Sequence, residues 1–287
     1  MDQHQLAALT VAGSDSGGNA GIQADIRAFH VFGLHACTVV TALTAQNPYG
    51  VRAVMVPEPA FVAQQLDAVL EEYAIAAAKT GMLANAGVVE AVADGFKRHP
   101  GIRLVVDPVM IATSGAKLLE DDAIGAMCSR MLPLAALATP NLPEASVILG
   151  RDVRTRADME SAAREIHARF GCAALVKGGH RAENVAADVL FDGDRAVWLS
   201  TPAVEAPLST HGTGCSLSAA IAASLAKGRS LPEAVAEGKA YVYEAIRAGV
   251  RVGARATVLG TPRGPVDPDC VAWAWPEPSP RGKHGLC

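Results

Sequence analysis

Apolar runs of two kinds alternate along this chain. LAALTVAG (6–13) is continuously apolar and reads as a buried strand, and GIQADIRAFHVFG (21–33) follows with helical spacing up to its closing glycine. CTVVTALTA (37–45) is β-branched and strand-like. FVAQQLDAVLEEY (61–73) sets Val62, Leu66, Val69, Leu70 and Tyr73 on one helical face. AAAKTGML (76–83) and RLVVDPVM (103–110) predict further strands on either side of the helix GVVEAVADGFKRH (87–99). LATPN (137–141) is a short strand leading into LPEASVILG. Thr155 and Asp158 make a capping-box pattern ahead of Met159, Ala163, Ile166 and Phe170. ALVKGGH (174–180) predicts another strand, and residues 186–199, broken by Asp192-Gly193-Asp194, a β-hairpin.

Strands alternating with helices of this length imply parallel pairing, hence an α/β fold: a three-layer α/β/α sandwich on a mainly parallel sheet. Residues 1–260 are expected to form one domain, followed by an aperiodic Pro- and Gly-rich tail over 261–287, read as loop or partly disordered. Ligands of such sheets collect at the carboxyl ends of the strands. The chemically informative residues stand there: Gly13 to Gly18, Gln46-Asn47, Gly81-Met82, Asp107-Pro108, Asn141 and Lys177-Gly178-Gly179.

Composition narrows the function classes. The net charge is −4 and no basic run occurs, which argues against nucleic acid as a partner. The most apolar helical run, 217–226, is too short to span a bilayer and is expected to be a core helix. Six scattered cysteines form no C-x-x-C pair and no zinc spacing, and the first residues lack a signal-peptide pattern, so a reduced cytoplasmic protein is expected. The histidines, His211 among them, show no metal-ligand spacing.

STHGTGCSLSAA (209–220) passes from a polar loop into a small-residue helix. A helix N-terminus offers unpaired N–H groups and a partial positive charge, and glycines before it let an anion approach the backbone. Thr210, Gly212, Thr213 and Gly214 supply that arrangement. Two glycines before a helix also occur for purely steric reasons, so the motif alone leaves both readings open. Cys215 at the helix mouth is expected to have its thiolate favoured, from about 8.5 towards neutrality; the plainer alternative is a small buried core residue. No G-x-x-x-x-G-K-[ST] and no G-x-G-x-x-G after the first strand is present, which excludes a P-loop and leaves a Rossmann dinucleotide site without support.

TVAGSDSGGNAGIQADI (10–26), TALTAQN (41–47), KTGML (79–83), VVDPVM (105–110), TPNLPEA (139–145), VKGGH (176–180) and STHGTGCSLSAA (209–220) occur in this order. Together they resemble the hydroxymethylpyrimidine kinase and phosphomethylpyrimidine kinase family of thiamine biosynthesis, within the ribokinase-like superfamily, over roughly residues 7 to 250. The resemblance implies two ATP-dependent phosphorylations, first of 4-amino-5-hydroxymethyl-2-methylpyrimidine and then of its monophosphate. It implies that Gly13, Asp25, Gln46, Met82 and Val109 line the pyrimidine pocket and that Gly212 to Cys215 form the anion hole. Cys215 then stands where sugar kinases of the superfamily carry an aspartate base. It assigns Asn141 and Glu144 to the Mg²⁺ and phosphate network, and implies a homodimer.

The residue chemistry agrees with several of these roles. A carboxamide such as Gln46 matches the donor–acceptor edge of an aminopyrimidine. Hard oxygens suit Mg²⁺, and Asp107, costly to bury unpaired, is expected to have a cation or polar partner. Lys177, between a buried strand and two glycines, reads as a phosphate-binding charge with a catalytic role. Lys79 is ambiguous in the same way and stays outside the expected site. Two positions depart from the family: Thr113, where relatives often carry lysine, and Asn19, where glycine or alanine is common. A pyridoxal kinase on the same scaffold is the alternative substrate reading; a non-catalytic binder would not need Cys215, Asn141, Glu144 and Lys177 together.

Overall fold

Strands buried on both faces leave no room for polar alternation, and the first of them, β1 (Ala7–Asp15), carries apolar residues on both sides within the interior of a ten-stranded sheet. In the computed structural model, which describes residues 5–110, 118–180, 185–263 and 266–274, the sheet order is β12-β9-β8-β7-β6-β5-β4-β1-β2-β3. The strands are β1, β2 (His35–Asn47), β3 (Gly50–Met55), β4 (Ile75–Thr80), β5 (Arg103–Val106), β6 (Leu137–Ala138), β7 (Ala173–His180), β8 (Val185–Phe191) and β9 (Ala196–Pro202), with β12 (Ala272–Ala274) at the far edge. A separate ribbon pairs β10 (Val250–Arg251) with β11 (Thr257–Val258). The adjacent strands β7, β6, β5, β4, β1 and β2 pair in parallel, and antiparallel strands flank them at both ends.

The helices are α1 (Gly21–Val31), α2 (Pro59–Leu70), α3 (Ala86–Lys97), α4 (Asp121–Ala126), α5 (Leu142–Leu149), α6 (Arg156–Phe170), α7 (Thr213–Ala226) and α8 (Leu231–Arg247). Alternate residues of each strand face opposite layers. Leu9 and Val11 of β1 pack with Leu66 of α2, Val92 of α3 and Ile166 of α6 on one face. Ala8 packs with Phe29 of α1, Ile221 of α7 and Val235 of α8 on the other. The three-layer α/β/α sandwich expected from the alternation is therefore the fold.

Local chemistry explains the element boundaries. The Thr155/Asp158 capping box opens α6, and Gly171 in left-handed conformation closes it. The run 217–226 is buried throughout within α7, whose small residues let α8 approach so closely that a Cβ on Gly238 would sit 2.7 Å from Ile221 Cγ1. Other expectations are corrected. Tyr73 lies beyond the end of α2, exposed and stacked on His35, because the helix stops at Leu70. Periodicity also missed β3, a short hairpin return. Within the tail read as loop, residues 272–274 add a strand antiparallel to β9. Thr113 lies outside the described residues.

Candidate active site

The carboxyl ends of the central strands and the start of α7 enclose one cavity of 540 Å³. Two glycine-rich loops meet on its rim. After β1, the Asp15 carboxylate accepts the N–H groups of Gly17 (2.8 Å), Asn19 (3.0 Å) and Ala20 (2.8 Å), folding the chain back into α1. Burial pushes the Asp15 carboxyl up, but the His211 side chain and these three N–H donors outweigh it and hold it at about 2. The second loop touches the first backbone to backbone. Gly212 is left-handed (φ 90°), and a Cβ there would stand 2.0 Å from the Asn19 carbonyl oxygen.

Gly212 is also the N-cap of α7 and supplies no side-chain cap, so the first-turn N–H groups open towards the cavity. A Cβ on Gly214 would lie 3.5 Å from Lys177 Nζ and 3.9 Å from Asp107 Oδ2. Glycine at 214 thus keeps clear a gap between helix dipole and ammonium group, the surroundings an anion requires. Lys177 donates to Asp107 Oδ1 at 2.9 Å, and Asp107 also accepts from Thr139 (3.1 Å) and Ser218 (3.2 Å). Burial pushes the Asp107 carboxyl up, but Lys177 and Lys79 prevail and hold it below its ordinary value. Burial pulls the Lys177 ammonium down, and Asp107 and Glu144 outweigh it, holding it above its ordinary value. Lys177 therefore remains a cation.

Asn141 and Glu144 close a capping box at the start of α5: the Asn141 N–H donates to Glu144 Oε2 (2.8 Å) and the Glu144 N–H to Asn141 Oδ1 (2.9 Å). Burial raises the Glu144 carboxyl to about 7; Lys177 opposes this and Asp107 adds to it. Glu144 thus caps α5 and also lines the cavity.

Of the residues expected in the site, Gly13, Gln46, Met82, Val109, Asp107, Asn141, Glu144, Lys177, Thr210, Gly212, Thr213, Gly214 and Cys215 all line this cavity. Asp25 does not. It is fully buried behind the wall, accepting from Thr10 Oγ1 (2.6 Å) and from Lys79 Nζ at both oxygens (3.0 and 2.9 Å), because a carboxylate removed from water needs a cation. Lys79, left out of the expected site, does line the cavity, and Asp25 holds its ammonium above the ordinary range despite burial.

The thiolate expected at Cys215 is also corrected. Burial raises the thiol above its ordinary value; Lys79 and the Gly21 N–H lower it, Asp25 and Asp107 raise it, and the net direction is up. That direction is the reverse of the expected one.

Gln46 stands at the end of β2. Its Nε2 is 3.2 Å from His211 Nε2, and its Oε1 is 3.3 Å from Thr44 Oγ1. His211 Nε2 is 3.7 Å from Asp15 Oδ2. Neither Asp15 nor His211 was expected as a site residue. The only signal was the Asp-x-Gly turn spacing after β1. Beyond Lys177 the cavity is bordered by Val204, Val242 and Ile246 and by a Lys239–Asp188 ion pair (2.6 Å) whose carboxylate also accepts the Gly178 N–H (2.9 Å). That end is apolar enough for a flat heterocycle and cationic where phosphates would follow.

A family model described as phosphomethylpyrimidine kinase matches residues 15–260. A Rhizobium meliloti protein named hydroxymethylpyrimidine/phosphomethylpyrimidine kinase is 47% identical over 260 residues, spanning 90% of this chain and 95% of its own. Among solved structures, the ADP complex of Bacillus subtilis pyridoxal kinase superposes with a TM-score of 0.83 at 34% identity, covering 90% of this chain and 98% of that one. Phosphomethylpyrimidine kinase from Clostridium difficile gives 0.75 at 37% identity, covering 84% and 100%.

Proposed function

Since the chain belongs to the phosphomethylpyrimidine kinase family, and is thereby an ATP-dependent phosphotransferase, we propose that it phosphorylates 4-amino-5-hydroxymethyl-2-methylpyrimidine and then the resulting monophosphate, in thiamine biosynthesis. The observation that carries the reading is the clear gap between the α7 N-terminus and Lys177, with Gln46 at one end of the same cavity and the Lys239 pocket at the other.

In this reading Gln46 takes the aminopyrimidine edge, with Gly13, Met82 and Val109 as the walls around the ring. The N–H groups of Gly214 and Cys215 and the Lys177 ammonium hold the phosphoryl group in transfer. Lys177, Asn141, Thr210 and Thr213 border the triphosphate. Cys215, its thiol raised by burial, orients the acceptor hydroxyl, and the helix N-terminus carries the charge. Asp25 acts indirectly, by holding Lys79 against the pocket wall.

Mg²⁺ fits the donor set. Asp107 and Glu144 are hard carboxylates; burial above all, with the Asp107 charge adding to it, raises Glu144 to about 7, and a cation would favour its ionised form. Asp107 already accepts from Lys177 and Thr139 at Oδ1 and from Ser218 at Oδ2, and with Glu144 it would hold the ion. When bound, Mg²⁺ neutralises phosphate charge.

The chain also forms a homodimer in this proposal. Strand β3 is a sheet edge, and Leu43, Met55, Tyr49 and Phe61 nearby are exposed apolar side chains. No helix among the described residues is long and apolar enough to cross a membrane. The described cysteines are free, in keeping with a reducing cytoplasm. Residues up to 260 form the catalytic unit, with β12 as its appended edge.

The test is Mg²⁺-dependent ATP consumption with hydroxymethylpyrimidine, its monophosphate and pyridoxal at matched concentrations. Turnover of the first two is the expected result. A preference for pyridoxal, the substrate suggested by the pyridoxal kinase likeness, would replace the pyrimidine reading.

A further inference from the structure

The strand geometry offers the Lys177 ammonium two carboxylates, and it takes the one that pairing alone would not choose. Lys177 and Asp188 are directly opposite each other where β7 runs antiparallel to β8. The Lys177 N–H turns the other way, to the Pro140 carbonyl at 2.9 Å, so the pair is of the non-hydrogen-bonded kind whose side chains stand closest. Opposed side chains in such sheets begin about 4.5–5.5 Å apart at Cβ, and opposite charges there attract. Yet the Lys177 ammonium donates to Asp107 Oδ1 at 2.9 Å, beside the gap kept clear at Gly214.

Asp188 is occupied by Lys239 of α8. The Lys239 Nζ donates to Asp188 Oδ2 at 2.6 Å, and Asp188 Oδ1 accepts the Gly178 N–H at 2.9 Å. Gly178 opens the bulge in which β7 slips register against β8 between Lys177 and His180. Both charged side chains are buried, Lys239 6% and Asp188 8% exposed, and a carboxylate so placed needs a cation. Without Lys239, Lys177 is a cation within reach across the strand pair, on a flexible four-carbon stem. Asp107 has less need of Lys177, since it also accepts from Thr139 and Ser218 and lies in the field of Lys79.

We propose that Lys239 is a positioning residue for phosphoryl transfer: by holding Asp188 it leaves the Lys177 ammonium at Asp107, facing the N-terminus of α7. Lys239 then acts through two other side chains rather than on the reacting atoms. The inference rests on the placement of the transferred group between Lys177 and the start of α7 given above. It does not depend on which ring the cavity takes.

The experiment is steady-state kinetics with ATP, Mg²⁺ and 4-amino-5-hydroxymethyl-2-methylpyrimidine on the full chain, comparing wild type, Lys239→Met, Lys239→Met with Asp188→Asn, and Lys177→Met as the reference loss. Lys239→Met should lose on the order of a hundredfold in kcat, the scale of a group displaced by about 1 Å. Its KM for the pyrimidine should change little, since Gln46 stands at the other end of the cavity. The double variant should regain about tenfold or more in kcat, because the asparagine still accepts the Gly178 N–H but offers Lys177 no charge. Lys239→Gln keeps a donor to Asp188 without the charge and carries the same comparison if Lys239→Met melts at a much lower temperature. Lys239→Met as active as wild type overturns the inference. So does a double variant as slow as the single one, which would mean that Lys239 itself meets the nucleotide. Lys177→Met with wild-type kcat overturns the placement of the phosphoryl group as well. If pyridoxal is turned over in place of the pyrimidine, the pyrimidine reading falls alone, and the same comparison made on pyridoxal decides the inference.

Discussion

Gly214→Ala separates the stability of α7 from the chemistry at its mouth, because the structure gives the two effects opposite signs. Gly214 lies in the first turn of the helix with no left-handed backbone requirement. An alanine Cβ there meets nothing closer than Lys177 Nζ at 3.5 Å and Asp107 Oδ2 at 3.9 Å, ordinary van der Waals separations. Replacing glycine by alanine at a compatible position stabilises by about 0.4–1 kcal/mol. For a chain of this size that raises the melting temperature by about 1–3 °C. The same methyl group fills the gap between the helix N–H groups and the Lys177 ammonium, where the transferred phosphoryl must sit. Displacing that group by about 1 Å costs on the order of a hundredfold in rate. Thermal melting beside steady-state kcat with ATP and hydroxymethylpyrimidine measures both. A variant as active as wild type would refute the placement of the phosphoryl group, whatever its melting temperature.

Gly212→Ala should lose both properties: the left-handed backbone and the 2.0 Å approach to the Asn19 carbonyl force the two glycine loops apart, lowering kcat and the melting temperature together. Lys79→Met should destabilise by about 3–5 kcal/mol by stranding the buried Asp25 carboxylate, and Lys79→Met with Asp25→Asn should recover much of the loss in denaturant titrations. The depressed Asp15 carboxyl contributes stability above its unfolded value near 3.8 that vanishes as pH falls through about 2. That amounts to about 2 kcal/mol, so Asp15→Asn should flatten this part of the acid-unfolding curve. Cys215, with its thiol raised, should react slowly with iodoacetamide at neutral pH and faster as pH climbs; rapid labelling at pH 7 would restore the thiolate.

Much of the site was legible because its residues stand at strand ends, and alternation of strands and helices locates those ends without coordinates. The capping pair Thr155/Asp158, the buried run of α7 and the cavity-lining role of Gln46 and Lys177 all follow from such local signals. What stayed hidden depends on partners distant in sequence. Asp25 and Lys79 are 54 positions apart, and their pairing accounts for a fully buried carboxylate that does not line the cavity. The raised thiol of Cys215 likewise reflects burial first, with Asp25 and Asp107 adding to it against Lys79 and the Gly21 N–H, none of them near it in sequence. Asp15 and His211 meet across the two loops with no shared pattern; β3 is largely exposed and so shows no buried face, and β12 has only three residues.

The close approach of Gly212 to Asn19 joins segments nearly two hundred positions apart. Loop closure over such a span is among the slowest acts of folding, since its entropy must be spent before the contact gives anything back. The parallel layers can condense from nearer neighbours, but the anion site exists only once the chain's early and late portions have met. Recovery of kinase activity during refolding should therefore lag behind the return of helical circular dichroism, and a chain halted before residue 209 during synthesis would carry a nearly complete sheet with no catalytic centre.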